Sequence, residues 1–291
     1  MTDYVYPGSV EEAVDCLERY GGRAQILAGG TDLLPDMRKG KCAPACLVDI
    51  TRIPGLERIT QQGELLVVGA AVTFAALKDA PLIRQRVPAL AEAAASVGAF
   101  PLQTAATWVG NLVQAMPAAD GAIVALALQA EAYVVGRQGA AWHPVETLFA
   151  GPGRSRIDPT RQLITHLRFR LPGARTGTAW GRLGRRASLV LPILNCAVQL
   201  RLEDADGRIA SARIALGPVA PCPFRARQAE AFLIGRPATP DVLNEAAQVA
   251  QRESDPRSSL LRASREYRLA IIPPLVTQVL SQAAQRAGAA G

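Results

Sequence analysis

Along the first seventy residues, the spacing of apolar positions switches repeatedly between helix-like and strand-like. A short strand opens the chain, and Val10, Ala13, Val14 and Leu17 then recur on one helical face. Ser9 with Glu12 three residues on makes a capping box, and Gly21-Gly22 ends the helix. Residues 24–28 predict an apolar strand, which runs straight into Gly29-Gly30-Thr31-Asp32 and a short helix over about 33–39. Strands follow at 46–50 and 65–69, an alanine-rich helix at 87–97, an apolar helix at 121–130 and a strand at 132–135. Leu167, Phe169 and Leu171 alternate with Arg168 and Arg170, the period-2 pattern of a half-buried strand.

Residues 172–178, rich in Pro, Gly and small residues, read as a boundary. Beyond it Val198, Leu200 and Leu202 alternate with polar residues, Asp204-Ala205-Asp206-Gly207 predicts a hairpin turn, and 209–216 is the return strand. Three helices are predicted to close the chain: 225–234, 240–252 with Thr239 as N-cap and Pro240 in the first position, and 261 to about 282, kinked or broken at Pro273-Pro274. The class is α+β in two parts, the second a smaller β-sheet covered by helices.

Composition narrows the function. A chain of 291 residues suits about two domains, and 49% apolar with 20% charged residues is ordinary globular composition. The longest uncharged stretch of the N-terminal half, 65–77, is too short and too interrupted to cross a bilayer, so no membrane span is expected. No apolar segment precedes the first basic residue, Arg19, so the reading is a cytoplasmic chain without a Sec-type signal. The formal charge is +7, yet aromatics are only 5% and do not interleave with arginine, which argues against nucleic acid. Arginines concentrate between Arg154 and Arg186, where Asp158 is the only acid. That stretch is either a solvated face or a docking surface for an acidic partner or phosphate. The five cysteines are scattered and odd in number, which fits spectator thiols better than disulfides or a metal set. With only His143 and His166, a histidine-driven nucleophile has little to recruit.

Two segments carry candidate chemistry. In Ile26-Leu27-Ala28-Gly29-Gly30-Thr31-Asp32-Leu33 a strand ends in two glycines just before a helix. Backbone N–H groups then converge, and the missing Cβ atoms let a phosphate approach. A plain strand-to-helix turn is the alternative. Neither G-x-G-x-x-G nor a Walker lysine is present. The second segment, Thr107-Trp108-Val109-Gly110-Asn111 with Pro117-Ala118-Ala119-Asp120, offers a hydroxyl, a glycine, an amide and an acid for the other side of a pyrophosphate-and-ribose ligand. Asn111 or Asp120 capping a turn or helix is the alternative there.

Together these segments resemble the FAD-binding medium subunit of the molybdenum hydroxylases, the group of xanthine dehydrogenases, carbon monoxide dehydrogenase and 4-hydroxybenzoyl-CoA reductase. The resemblance covers essentially the whole chain, with Arg213-Ile214-Ala215-Leu216-Gly217-Pro218-Val219-Ala220, Asp255-Pro256-Arg257-Ser258 and Glu266-Tyr267-Arg268 resembling its C-terminal domain. It implies a two-part FAD-binding domain over 1–172 (about 1–55 and 56–172) and a C-terminal domain over 178–291. It further implies that Ile26, Leu27, Ala28, Gly29, Gly30, Thr31, Asp32 and Leu33 wrap the FAD pyrophosphate, and that Thr107, Gly110, Asn111 and Gln114 hold it from the second segment. Asp120 would meet the adenosine ribose or its surroundings, and Ile164 would lie near the isoalloxazine ring. The implied role is electron transfer. A large subunit carries a molybdenum–pterin cofactor, a small subunit carries two [2Fe–2S] clusters, and FAD here exchanges electrons with NAD or a quinone, in a dimer of heterotrimers. The sequence departs from the family pattern at Val109, where a glycine is usual, at Gln103-Thr104, where Arg-Asn is common, and at Gly181, near which a lysine is often found. Two other readings stay open: a flavin-free assembly subunit of such a complex, and a nucleotide-binding transferase.

Overall fold

The computed structural model describes residues 2–186, 188–203, 207–260 and 262–289. Its N-terminal layer is a three-stranded parallel sheet: β1 (Asp3–Val5), then helix α1 (Val10–Arg19), β2 (Ala24–Leu27), helix α2 (Leu33–Arg38) and β3 (Cys46–Asp49), in the order β1-β3-β2. The expected cap is present: Ser9 Oγ accepts the Glu12 N–H at 3.1 Å and Glu12 reaches back to the Gly8 N–H at 2.6 Å. That fixes α1 so that Ala13, Cys16 and Leu17 are buried. Because the sheet is parallel, the Gly29-Gly30 turn leaves from its carboxyl edge, where open α/β sheets place their ligands.

A five-stranded antiparallel sheet follows, built from β4 (Ile59–Gln62) and β5 (Leu65–Gly69) and completed after a run of helices. Those helices are α3 (Phe74–Asp79), α4 (Pro81–Arg86), α5 (Pro88–Ser96), α6 (Phe100–Gln103), α7 (Trp108–Val113) and α8 (Asp120–Ala127). Then come β6 (Glu131–Gly136), β7 (Gly139–Pro144), the small hairpin β8 (Phe149–Gly151) and β9 (Arg154–Ser155), and β10 (Gln162–Arg170), giving the order β4-β5-β10-β6-β7. Every residue of α8 is buried, so it reads as an apolar run without a polar face.

The C-terminal sheet is antiparallel, in the order β11 (Thr176–Leu183), β12 (Leu194–Leu202), β13 (Ile209–Gly217) and β14 (Phe224–Arg225). It is covered by α9 (Arg227–Leu233), α10 (Pro240–Arg252) and α11 (Arg265–Ala289). β11 begins inside the stretch expected to be a boundary. Its glycines are spacers rather than linkers: a Cβ on Gly177 would lie 2.0 Å from the Ala283 carbonyl oxygen, and one on Gly181 2.4 Å from Val279, so α11 packs flat on the strand. Arg225, expected in a helix, pairs with Ala215 as the last strand, and the helix starts at Arg227. The predicted turn residues Asp204, Ala205 and Asp206, and Leu261 at the expected start of the last helix, lie outside the described residues. That helix starts at Arg265 and runs unbroken through Pro273-Pro274. Pro273 cannot donate to the Leu269 carbonyl, but Gln251 Nε2 supplies the missing bond at 2.9 Å.

Two apolar cores result, one spanning the first two sheets, their helices and the facing side of the last sheet at Trp180, Ala197 and Ala215, the other between the last sheet and α9–α11. Polar contacts clasp them together. Trp180 Nε1 donates to Ser96 Oγ at 3.0 Å, Arg286 pairs with Glu92 at 2.5 Å, and Asn195 Nδ2 donates to Asp120 at 2.6 Å.

Candidate cofactor cleft

A cleft of about 770 Å³ opens at the carboxyl edge of the parallel sheet, within the size range of small-molecule sites. Its first wall is the turn after β2. Leu34 N–H bonds back to the Gly30 carbonyl at 3.0 Å and starts α2. The N–H groups of Gly29, Gly30, Thr31 and Asp32 have no protein acceptor among the described residues. Successive unpaired amides on a glycine turn are an anion-binding arrangement. Gly30 has φ +67°, open to glycine at little cost. Gly29 is needed for space: a Cβ there would stand 1.8 Å from the Ala105 carbonyl oxygen.

That contact joins the first wall to the second. Residues 105–107 are pinned on their other side by a Thr73–Thr107 bridge, with Phe74 N–H on the Ala106 carbonyl at 3.0 Å. Thr107 is the N-cap of α7, its Oγ1 accepting the Gly110 N–H at 3.1 Å. Val109 sits in regular helical backbone and is almost wholly buried in the N-terminal core, so its branched side chain leaves the turn undistorted. Asn111 Oδ1 is buried without a partner, held against Gly121.

The cleft is lined by all but one of the residues that the resemblance assigns to the cofactor. The run Ile26 to Leu33, with Thr107, Gly110, Asn111, Gln114 and Ile164, lines it. Asp120 does not. It lies behind the wall at the start of α8, 7% exposed, accepting from Asn195 and standing 3.4 Å from Arg182 Nε. Its Oδ1 takes both contacts and so helps join the two cores, and Asp120 is not part of the cleft lining. Gly181 is likewise turned away, against α11, while its neighbour Arg182 points to Asp120. The arginine-rich stretch does not form one docking face. Arg154 and Arg156 line the cleft, Arg168 pairs with Glu131 and Arg170 with Glu64, and the Arg182 side chain is buried.

Sequence reasoning missed the third wall, residues 153–159, which crosses the cleft after β8. It is tied to the first by the Ile26 N–H on the Pro159 carbonyl at 3.0 Å and to α7's end by the Gly153 N–H on the Ala115 carbonyl at 3.0 Å. The Gly151-Pro152-Gly153 punctuation was the available signal, but nothing local says where such a strap lands. Electrostatically the cleft is mixed. Burial, and then the nearby Asp36, raises the Asp32 carboxyl above its ordinary value, whereas Arg154 and Arg156 bring positive charge to the far wall.

The chain matches two families: FAD binding domain in molybdopterin dehydrogenase over residues 1–172, and CO dehydrogenase flavoprotein C-terminal domain over residues 182–283. It is 30% identical over 268 residues to a putative xanthine dehydrogenase FAD-binding subunit of Escherichia coli K12, covering 91% of this chain and 90% of the relative. It is also 30% identical over 283 residues to the carbon monoxide dehydrogenase medium chain of Hydrogenophaga pseudoflava, covering 97% and 96%. Its fold superposes on a solved structure of carbon monoxide dehydrogenase from that organism, one lacking the Mo-pyranopterin moiety of the molybdenum cofactor, with a TM-score of 0.91 at 32% identity over 98% of each chain. With both family matches, 30% identity to full-length relatives and a shared fold over nearly the whole chain, the chain belongs to the FAD-binding medium subunits of the molybdenum hydroxylases.

Proposed function

We infer that Ile26 to Leu33 hold the FAD pyrophosphate through the unpaired amides of the turn, with Thr107, Gly110, Asn111 and Gln114 on the facing wall and Ile164 beside the ring system. The observation carrying this is the run of unpaired N–H groups from Gly29 to Asp32, set opposite α7 in a cleft of suitable size. The residues fit the group in two further ways. Only a glycine at 29 leaves the two walls in contact, and Arg154 and Arg156 bring positive charge to the far wall, which suits a pyrophosphate. When bound, FAD supplies the redox chemistry, taking electrons singly from an iron–sulfur relay and passing them in pairs to an external acceptor such as NAD or a quinone. This chain's residues position it, and the buried Ile50, Phe74 and Ile164 give part of the cleft lining an apolar surface.

In this reading 1–172 is the FAD-binding domain, divided at about 55, and 178–291 is the C-terminal domain. The partners are a large molybdenum–pterin subunit and a small subunit with two [2Fe–2S] clusters, assembled as a dimer of heterotrimers in the cytoplasm. The family membership of the chain supports that reading, and no described helix is long and apolar enough to cross a membrane.

The test is a complex co-expressed with its partner subunits and stripped of flavin. Substrate oxidation coupled to an artificial dye at the molybdenum subunit is expected to survive, while reduction of the physiological acceptor falls at least about tenfold and returns with added FAD. Acceptor reduction unchanged in the flavin-free complex contradicts the electron-exit role.

A further inference from the structure

The segment between α10 and α11 has no part in the FAD cleft, yet it concentrates positive charge. Arg268, in the first turn of α11, is 2% exposed. Its Nη1 donates to the Pro218 carbonyl at 3.1 Å, and its Nε is buried without a hydrogen-bond partner. A Ser259–Ala263 bridge folds the preceding segment back on itself, and Ser258 Oγ accepts the Arg265 N–H at 2.9 Å, tying that segment to the start of α11. Arg257 and Arg262, which are close to that bridge in sequence, lie within electrostatic reach of Arg268. Burial first, and then the charges of Arg262 and Arg257, lower the Arg268 guanidinium from its ordinary value; burial and Arg257 do the same to Arg262.

Of the three carboxylates near this segment in sequence, two are engaged elsewhere and the third is exposed to solvent. Asp255 accepts from Arg265 at 2.9 Å, Glu253 accepts the N–H groups of Gln228 and Ala229, and Glu266 lies exposed beside Arg265. Among the described residues no carboxylate forms an ion pair with Arg257, Arg262 or Arg268. A buried guanidinium with two like-charged neighbours and no counter-charge is a costly arrangement unless an anion completes it.

We propose that Arg257, Arg262 and Arg268 form a binding site for an oxyanion, a phosphate- or carboxylate-type group seated among the three guanidiniums. Planar forks of this kind pair two-pronged with both groups. The source is either a free anion or a carboxylate presented by a partner subunit.

Thermal unfolding of the full chain in chloride and in inorganic phosphate at matched ionic strength tests the site, alongside the double variant Arg257→Gln, Arg262→Gln. For a free anion, phosphate raises the wild-type Tm by about 3 °C and the variant's by none. For a partner's carboxylate, phosphate moves neither, and the variant associates about tenfold more weakly with co-expressed partner subunits. In both cases the variant unfolds in chloride at or above the wild-type temperature, because two like charges have gone. A variant Tm lowered in chloride makes the arginines structural and overturns the site. So does a phosphate shift that persists in the variant, or no effect of phosphate together with unchanged assembly.

Discussion

Replacing Gly29 by alanine is expected to cost about 3 kcal/mol of stability, the upper range for forcing an extra carbon into a packed site, and to weaken FAD binding by about 100-fold. The new Cβ would stand 1.8 Å from the Ala105 carbonyl oxygen, 2.5 Å from its carbon and 3.0 Å from the Ala106 nitrogen. All three are backbone atoms, so no side chain can swing away. The segment they belong to is held on its far side by hydrogen bonds to Phe74 and Val72. One wall of the cleft must therefore move relative to the other. Gly173→Ala is the control, since a Cβ there meets nothing within 4 Å; it should leave stability and flavin binding unchanged. Flavin fluorescence titration and denaturant unfolding read both effects. A Gly29→Ala chain that binds FAD like wild type would remove the close approach of the two walls from the account.

Arg182→Met is expected to destabilise the chain by about 3 kcal/mol at pH 7.5, the low end for breaking a buried ion pair from one side. The Arg182 side chain is 9% exposed and its partner Asp120 is similarly buried. Burial pushes the Asp120 carboxyl up to about 6, and the Arg182 charge and the Asn195 hydrogen bond already restrain that rise. The sign of the pH dependence follows. The folded chain holds a proton on Asp120 between the unfolded value, about 4, and the folded one, so Asp120's contribution to stability falls as pH rises through that window. Removing Arg182 lifts the folded value further, which deepens the loss above it and leaves the neutral form little affected. The penalty of the variant should shrink as the pH is lowered from 7.5 to 5. Urea unfolding at both pH values measures it, and a penalty independent of pH would mean that Arg182 acts through its bond to the Val190 carbonyl instead. Arg182 substitutions consequently report on how the two cores are clasped, not on a docking surface.

What could be read beforehand depended on how far each cause lies along the chain. The turn after β2 was legible because strand, glycines and helix start are contiguous, and its residues do line the cleft. Helix α7 was not, because it is only six residues long with Gly110 inside it, and its cap, Thr107, looks like one more loop hydroxyl. β11 was hidden by Gly177 and Gly181, which read as linker residues until α11 is seen pressed against them. Asp120 was correctly noticed as a helix-start acid, but its partners Arg182 and Asn195 lie 62 and 75 residues away, beyond any local pattern. Pro273-Pro274 suggested a break because the compensating donor, Gln251, belongs to another helix.

The cofactor released by the full chain is the most direct test. After purification and incubation with excess FAD, removal of free flavin and denaturation, the account predicts one FAD per chain by absorbance and chromatographic identity, and markedly less from Gly29→Ala. A wild-type chain that releases no flavin, alone and also when purified with its partner subunits, would contradict it.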